Sequence, residues 1–130
     1  MSVPRLRALA ILAGGAVGAL ARAGVAEAMP HDPGEWPWAT LAVNLAGVAL
    51  LAWVTTRLSE MVAPTRYWRF LIGTGFCGAL TTFSTLQVET IVLAQDGHAG
   101  VALAYATCSL AAGMMLAAAA TVLARRRRYG

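Results

Sequence analysis

The residues best equipped for chemistry in this chain lie inside apolar segments. Gly73-Thr74-Gly75-Phe76-Cys77-Gly78-Ala79-Leu80-Thr81-Thr82-Phe83-Ser84-Thr85-Leu86 combines three glycines with a cluster of hydroxyls. Glycine loses the most freedom in a helix, and Thr and Ser favour helix starts, where their oxygens accept from free backbone N–H groups. A helix that stops near Gly75–Gly78 and restarts near Thr81–Ser84 is therefore expected. Within a membrane such a break leaves backbone groups without partners. It is tolerated only where the protein buries them or where they line a cavity or ion site. Asn44, midway along another apolar segment, also needs partners, either in a helix contact or as a donor lining a pore. Tyr105 and Ser109 stand four apart on one face of the last apolar segment, with Gly113 following. Their hydroxyls either bond back to their own helix or donate to a permeating ligand. Two charged residues complete the set. Glu89 lies a turn beyond Phe83 and Leu86, in a vestibule or near the headgroups, and Arg22 is a snorkelling anchor or a buried ion-pair partner.

The elements that must hold these groups follow from composition. Of 130 residues, 58% are hydrophobic and 12% charged, against about 25% charged in an average soluble domain. The mean hydropathy is +0.64. The expected fold is an all-α integral membrane protein in one domain, with four transmembrane helices at about 3–25, 38–56, 69–94 and 100–124 and a break in the third. The first segment has a signal-like layout, with Arg5 and Arg7 before an apolar run and Ala21-Arg22-Ala23 after it. With further spans following, it is expected to stay as a helix. Gly14 and Gly18 share a face there and allow close helix approach, as Gly47 does beside Asn44. Trp36 and Trp38 suit a membrane interface. A chain this small can hardly surround a pore alone, so an oligomer is expected.

Composition also excludes functions. The net charge of +4 comes from arginine alone, and the run Arg125–Arg128 reads as a topology anchor rather than a nucleic-acid patch. Cys77 and Cys108 fall in apolar segments and show neither metal spacing nor a disulfide framework. Gly73-x-Gly75-x-x-Gly78 matches a dinucleotide fingerprint, with Asp96 downstream near the acidic position. That motif needs a strand–turn–helix unit in a parallel sheet, which a spanning segment cannot supply. There is no nucleophile–base pair, metal-ligand cluster or phosphate loop, so an enzyme is not expected.

Three motifs carry a resemblance. Gly14-Gly15-Ala-Val-Gly18-Ala-Leu-Ala-Arg22, Thr40-Leu-Ala-Val43-Asn44-Leu-Ala-Gly47 and Gly75-Phe76-Cys77-Gly78-Ala-Leu-Thr81-Thr82-Phe83-Ser84-Thr85 occur in order. Together they resemble the helix motifs of the CrcB/Fluc family of fluoride channels. The resemblance implies an antiparallel dimer in the prokaryotic plasma (inner) membrane, with two pores that export cytoplasmic fluoride. It also implies a central structural sodium ion held by backbone carbonyls, here those of Gly78 and Thr81. The pore residues it implies are Asn44, Thr82, Phe83, Ser84, Tyr105 and Ser109. Leu86 stands where the family commonly has a second phenylalanine, and Gly113 where a second hydroxyl often occurs, which implies retained but slower flux. The chemistry is consistent with that assignment: fluoride is small and tightly hydrated, so a pore must replace its water with N–H and O–H donors and positive ring edges.

Charge placement adds a question of assembly. Arg5, Arg7, Arg57, Arg66, Arg69 and Arg125–Arg128 fall on the side of both termini, against Arg22 on the other. This bias favours termini inside, whereas a homodimer of dual topology needs near balance. The partner is thus a second copy or an oppositely oriented paralogue. A small proton-coupled multidrug exporter is the competing class. It needs a carboxylate deep in the first helix, where this chain has none before Glu27.

Overall fold

The computed structural model describes residues 3–58 and 66–126. Arg127 and Arg128 of the basic run lie outside the described residues, as does Glu60, between the second and third spans. Helix α1 is Val3–Ala28, α2 is Trp38–Leu58, α4 is Phe83–Gln95 and α5 is Ala99–Arg126. Between α2 and α4, helix α3 occupies residues 66–80. It consists of an α turn at Arg66–Trp68, a π-helical run at Arg69–Cys77 and a last α turn at Gly78–Leu80. No strand occurs among the described residues. Four helical stretches are long and apolar enough to cross a membrane, with mean hydropathies of 1.3 to 1.8, so the all-α, four-span expectation holds. Leu12, Leu20, Leu103, Leu110, Met114 and Met115 point outward, as they must where the solvent is hydrocarbon.

The glycine-rich stretch does not end the helix where the sequence suggested. Backbone winding continues past Gly75–Gly78 to Leu80 and only then becomes extended, with Thr81 at φ −78°, ψ 151° and Thr82 at φ −145°, ψ 121°. The wider π winding absorbs Gly73 and Gly75 instead of stopping at them. It is one of the few helical alternatives that keep backbone groups paired inside an apolar medium.

The glycines of α1 and α3 are spent on contact rather than on termination. A Cβ at Gly14 would fall on the carbonyl oxygen of Leu71, and one at Gly18 on that of Phe76. A Cβ at Gly75 would come within 2.6 Å of the Ile11 carbonyl oxygen. The helices therefore meet backbone to backbone, which small residues permit.

Helix α4 turns into α5 through a Schellman closure. His98 N–H donates to Leu93 O at 2.8 Å and Gly97 N–H to Ala94 O at 3.3 Å, with Gly97 at φ +86°. Glycine fits that left-handed position without penalty. Below the turn, Leu93, Ala102 and the fully buried Tyr105 pack with Trp36, Leu41, Leu86 and Val101 around them. Trp36 meets the Tyr105 ring edge-on at 5.6 Å.

At the opposite end the first turn of α3 and the last turns of α2 and α5 are basic. Arg57 lies over Trp53 at 5.7 Å and donates to Ala124 O at 3.5 Å. A guanidinium is favoured beside carbonyls at a helix C-terminus. Arg7 lies over Phe70 at 5.3 Å.

Candidate functional site

The site is built around the two extended residues between α3 and α4. Thr82 caps α4: its side-chain oxygen accepts from Thr85 N–H at 3.2 Å, and its hydroxyl donates to Thr85 Oγ1 at 2.9 Å. Ser84 Oγ stands 3.3 Å from the same hydroxyl. The backbone of Thr82 turns to Asn44. Thr82 N–H donates to Asn44 Oδ1 at 2.7 Å, and Asn44 Nδ2 donates to Thr82 O at 3.0 Å. Of the two readings of Asn44, the helix contact is thus satisfied through both ends of the amide. One N–H of its NH2 group remains for another acceptor, since that group has two donors.

Diverting these donors leaves carbonyls without their helical partners. In a continuous helix Gly78 O would accept from Thr82 N–H, and Thr81 O from Thr85 N–H. Here the first donor goes to Asn44 Oδ1 and the second to Thr82 Oγ1. Thr81 itself stays tied to α3, donating to Cys77 O from its N–H at 3.1 Å and from its hydroxyl at 2.9 Å. Gly47 of α2 makes room here: a Cβ would fall on Thr81 Cγ2. Two neutral carbonyls with no side-chain charge suit a weakly charged, oxygen-seeking monovalent cation.

A groove of about 710 Å³ runs along the break. It brings together Asn44, Thr81, Thr82, Phe83, Leu86 and Ser109 from α2, the break, α4 and α5. Ser109 Oγ is buried and has no hydrogen-bond partner. Unlike Thr107 and Thr121, which donate to their own helix at 2.7 and 2.8 Å, Ser109 makes no back-bond. Phe83 is 71% exposed, a large ring held without cover. Ser84 belongs to the capping cluster, outside the groove's lining.

Tyr105 and Glu89 form a separate, internal group beside the groove. Tyr105 OH donates to Glu89 Oε2 at 2.7 Å, and Thr40 Oγ1 donates to Glu89 Oε1 at 2.7 Å. Tyr105 therefore neither bonds back to its own helix nor faces the groove, and Glu89 is held by partners from α2 and α5. Arg22 is half-buried on α1, apart from the groove. It makes no ion pair among the described residues. Nothing lies within 4 Å of a Cβ built on Gly113.

Sequence reasoning missed Thr40, Gln87 and Thr90. Thr40 was readable, since it stands four residues before Asn44 on the same face of α2. Gln87 and Thr90 line the groove, and only the packing of α4 against α5 shows which face of α4 that is.

Comparison with known sequences agrees with the three motifs. A profile of the family described as "CrcB-like protein, Camphor Resistance (CrcB)" matches residues 9–121. A protein of Mycobacterium bovis named "Fluoride-specific ion channel FluC 1" is 50% identical over 119 residues, covering 92% of this chain and 90% of its own length. One of Mycolicibacterium paratuberculosis with the same name is 49% identical over 119 residues, with the same two shares. "Fluoride-specific ion channel FluC" of Chlorobaculum tepidum is 40% identical over 117 residues, 90% of this chain and 93% of its own. The chain is a multi-pass bacterial membrane protein and belongs to the CrcB family.

Proposed function

We infer that this chain is a subunit of a fluoride-selective channel that lets cytoplasmic fluoride leave down its electrochemical gradient, and that it is not an enzyme. The observation that carries this is Ser109: a buried hydroxyl without a partner, lining one groove with Asn44, Thr82 and the uncovered ring of Phe83. A buried donor left unpaired costs about 1–3 kcal/mol, which an acceptor in the groove offsets. Fluoride is such an acceptor. The spare Asn44 N–H and the Ser109 hydroxyl replace its water, and the rim of Phe83 offers a positive edge. A larger halide gains less from so few donors. The relatives' names support the same ion.

The reading extends to assembly. The groove is open along one side of a single chain, so an antiparallel second copy would close it and present a second Gly78–Thr81 pair across the axis. Four carbonyl oxygens would then surround one sodium ion, whose contribution is a positive charge that fixes the two breaks together. Replacing sodium by a bulky organic cation should loosen the dimer, read as a shift toward monomer in detergent.

A second reading of the assembly, an oppositely oriented paralogue as partner, is favoured by the arginines gathered at one end of the bundle. Thiol labelling of both termini in cells separates the two, because labels on both faces mean dual topology. An exporter of cationic drugs is disfavoured, since the membrane carboxylate here is Glu89, already holding two hydroxyl donors. Liposomes carrying the protein should release fluoride far faster than chloride. Fluoride retained as well as in protein-free liposomes overturns the proposal.

A further inference from the structure

The charges of this chain are sorted to opposite ends of the bundle. Glu27, Asp32, Glu35 and Asp96 are exposed at the end that carries the α1–α2 loop and the α4–α5 turn. Arg5, Arg7, Arg57, Arg69, Arg125 and Arg126 lie at the other, where no carboxylate occurs among the described residues. Arg22, half-buried on α1, is the one arginine on the acidic half. Glu89 is held within the bundle by its two hydroxyl donors. The 21 residues of α2 join the two ends, a separation of about 30 Å at about 1.5 Å per residue. That is several times the Debye length of about 8 Å. Opposite charges at the two ends of one chain therefore cannot meet, and no ion pair forms among the described residues.

The acidic end is a built surface. Glu35 N–H donates to Asp32 O at 3.0 Å and Asp32 N–H to Glu35 Oε2 at 3.2 Å, with Gly34 at φ +87°. This is a tight turn through Pro33 and Gly34, in which glycine takes the left-handed position. The His98 ring of the α4–α5 turn covers that glycine: a Cβ at Gly34 would come within 2.7 Å of His98 Cε1. The two connections are thus in contact, and Asp32, Glu35 and Asp96 belong to one rim. Between this rim and the arginines, the groove at the break is open along one side, with the Phe83 ring uncovered.

We propose that a second copy of this chain docks head to tail, the acidic rim of each copy against the arginine end of the other at both membrane faces, and that this charge pairing selects the antiparallel orientation. The inference rests on the antiparallel assembly read above and supplies what sets its direction. Two parallel copies would bring arginine against arginine at one surface of the lipid bilayer and carboxylate against carboxylate at the other. Antiparallel copies satisfy both sets, with charges that find no partner in their own chain. An exposed ion pair contributes little by itself. Here several act together at each of two faces, and like charges penalise the wrong orientation. The chain is its own electrostatic complement, so a second copy suffices as the partner.

Energy transfer between differently labelled copies of the full-length protein in detergent tests the proposal, at constant sodium with choline chloride as the added salt. Sodium stays fixed and flux is not read, so this test can fail while the fluoride reading stands, and the reverse. Salt weakens contact between opposite charges and relieves contact between like ones, so the sign of the change reports orientation. From about 10 mM to about 1 M salt, the wild-type dimer dissociation constant should rise at least about tenfold. An unchanged or falling constant overturns the pairing. A wild type that stays monomeric at the lower salt overturns a second copy as the occupant and leaves the paralogue. Asp32→Arg, Glu35→Arg and Asp96→Arg together should weaken the dimer at low salt, with the difference from wild type vanishing at high salt. A loss that persists at high salt would be a folding defect and count against the charges. Mixed with a chain carrying Arg5→Glu, Arg69→Glu, Arg125→Glu and Arg126→Glu, that variant should form mixed dimers beyond the random proportion. Random mixing overturns the proposal.

Discussion

Asn44 and Thr82 pair through both ends of the asparagine amide, with bonds of 2.7 and 3.0 Å that join α2 to the break before α4. The side chain stands where a peptide group of an unbroken helix would otherwise serve the Thr82 N–H. Asn44→Ala leaves two backbone groups buried and unpaired, at about 1–3 kcal/mol each. The expected outcome is a protein of lower thermal stability and fluoride efflux from liposomes reduced by at least about tenfold, a barrier change of about 1.4 kcal/mol. Asn44→Asp keeps the acceptor for Thr82 N–H but lacks the donor and adds a charge, so its efflux should fall as well. Wild-type efflux in Asn44→Ala would remove Asn44 from the permeation path.

Tyr105→Phe tests the internal group. It removes the donor to Glu89 Oε2 while keeping the ring against Trp36. Removing one partner of a buried hydrogen bond costs about 1–3 kcal/mol, and a stability loss in that range is expected by denaturation in mixed micelles. Thr40→Val should act on the same carboxylate from the other side. The double variant should then cost less or more than the sum of the two, because residues in one network are not additive. Simple additivity would show that the two hydroxyls act separately.

Leu86→Phe bears on rate. Leu86 lines the groove and packs against the Leu93–Ala102–Tyr105 cluster, so a ring there would stand near Phe83. A few-fold rise in fluoride efflux is expected, measured with a fluoride electrode outside loaded liposomes. A sharp fall would contradict the idea that leucine slows this pore.

The glycines separate contact from mere small size. Gly14→Ala and Gly18→Ala set a methyl on backbone carbonyl oxygens of α3, whereas Gly24→Ala meets nothing within 4 Å. Overpacking costs about 1–3 kcal/mol and occasionally more, and a backbone cannot step aside as a side chain can. The first two variants should give little monodisperse protein by size-exclusion chromatography, and the third should match wild type or exceed it.

Much of this arrangement could be read from the chain. Four apolar stretches announce the spans, and the hydroxyls of residues 81–85 announce a helix start, which Thr82 caps. Local rules sufficed because both features depend on neighbours in sequence. The stop expected at Gly75–Gly78 failed because glycine's weakness as a helix former was outweighed by the contact that Gly75 makes with α1. The Thr40–Glu89–Tyr105 group could not be assembled from sequence either. Its members are 49 and 16 positions apart, and no periodicity within one helix relates them.

The backbone-to-backbone seating of α3 on α1 divides the third span between two bodies. Residues 66–80 pack chiefly on the first helix, while α4 is closed by its turn onto α5, which packs on α2. Any rocking of one body against the other is concentrated at the two extended residues, Thr81 and Thr82. Asn44, by bonding both backbone groups of Thr82, fixes the angle between the two half-helices.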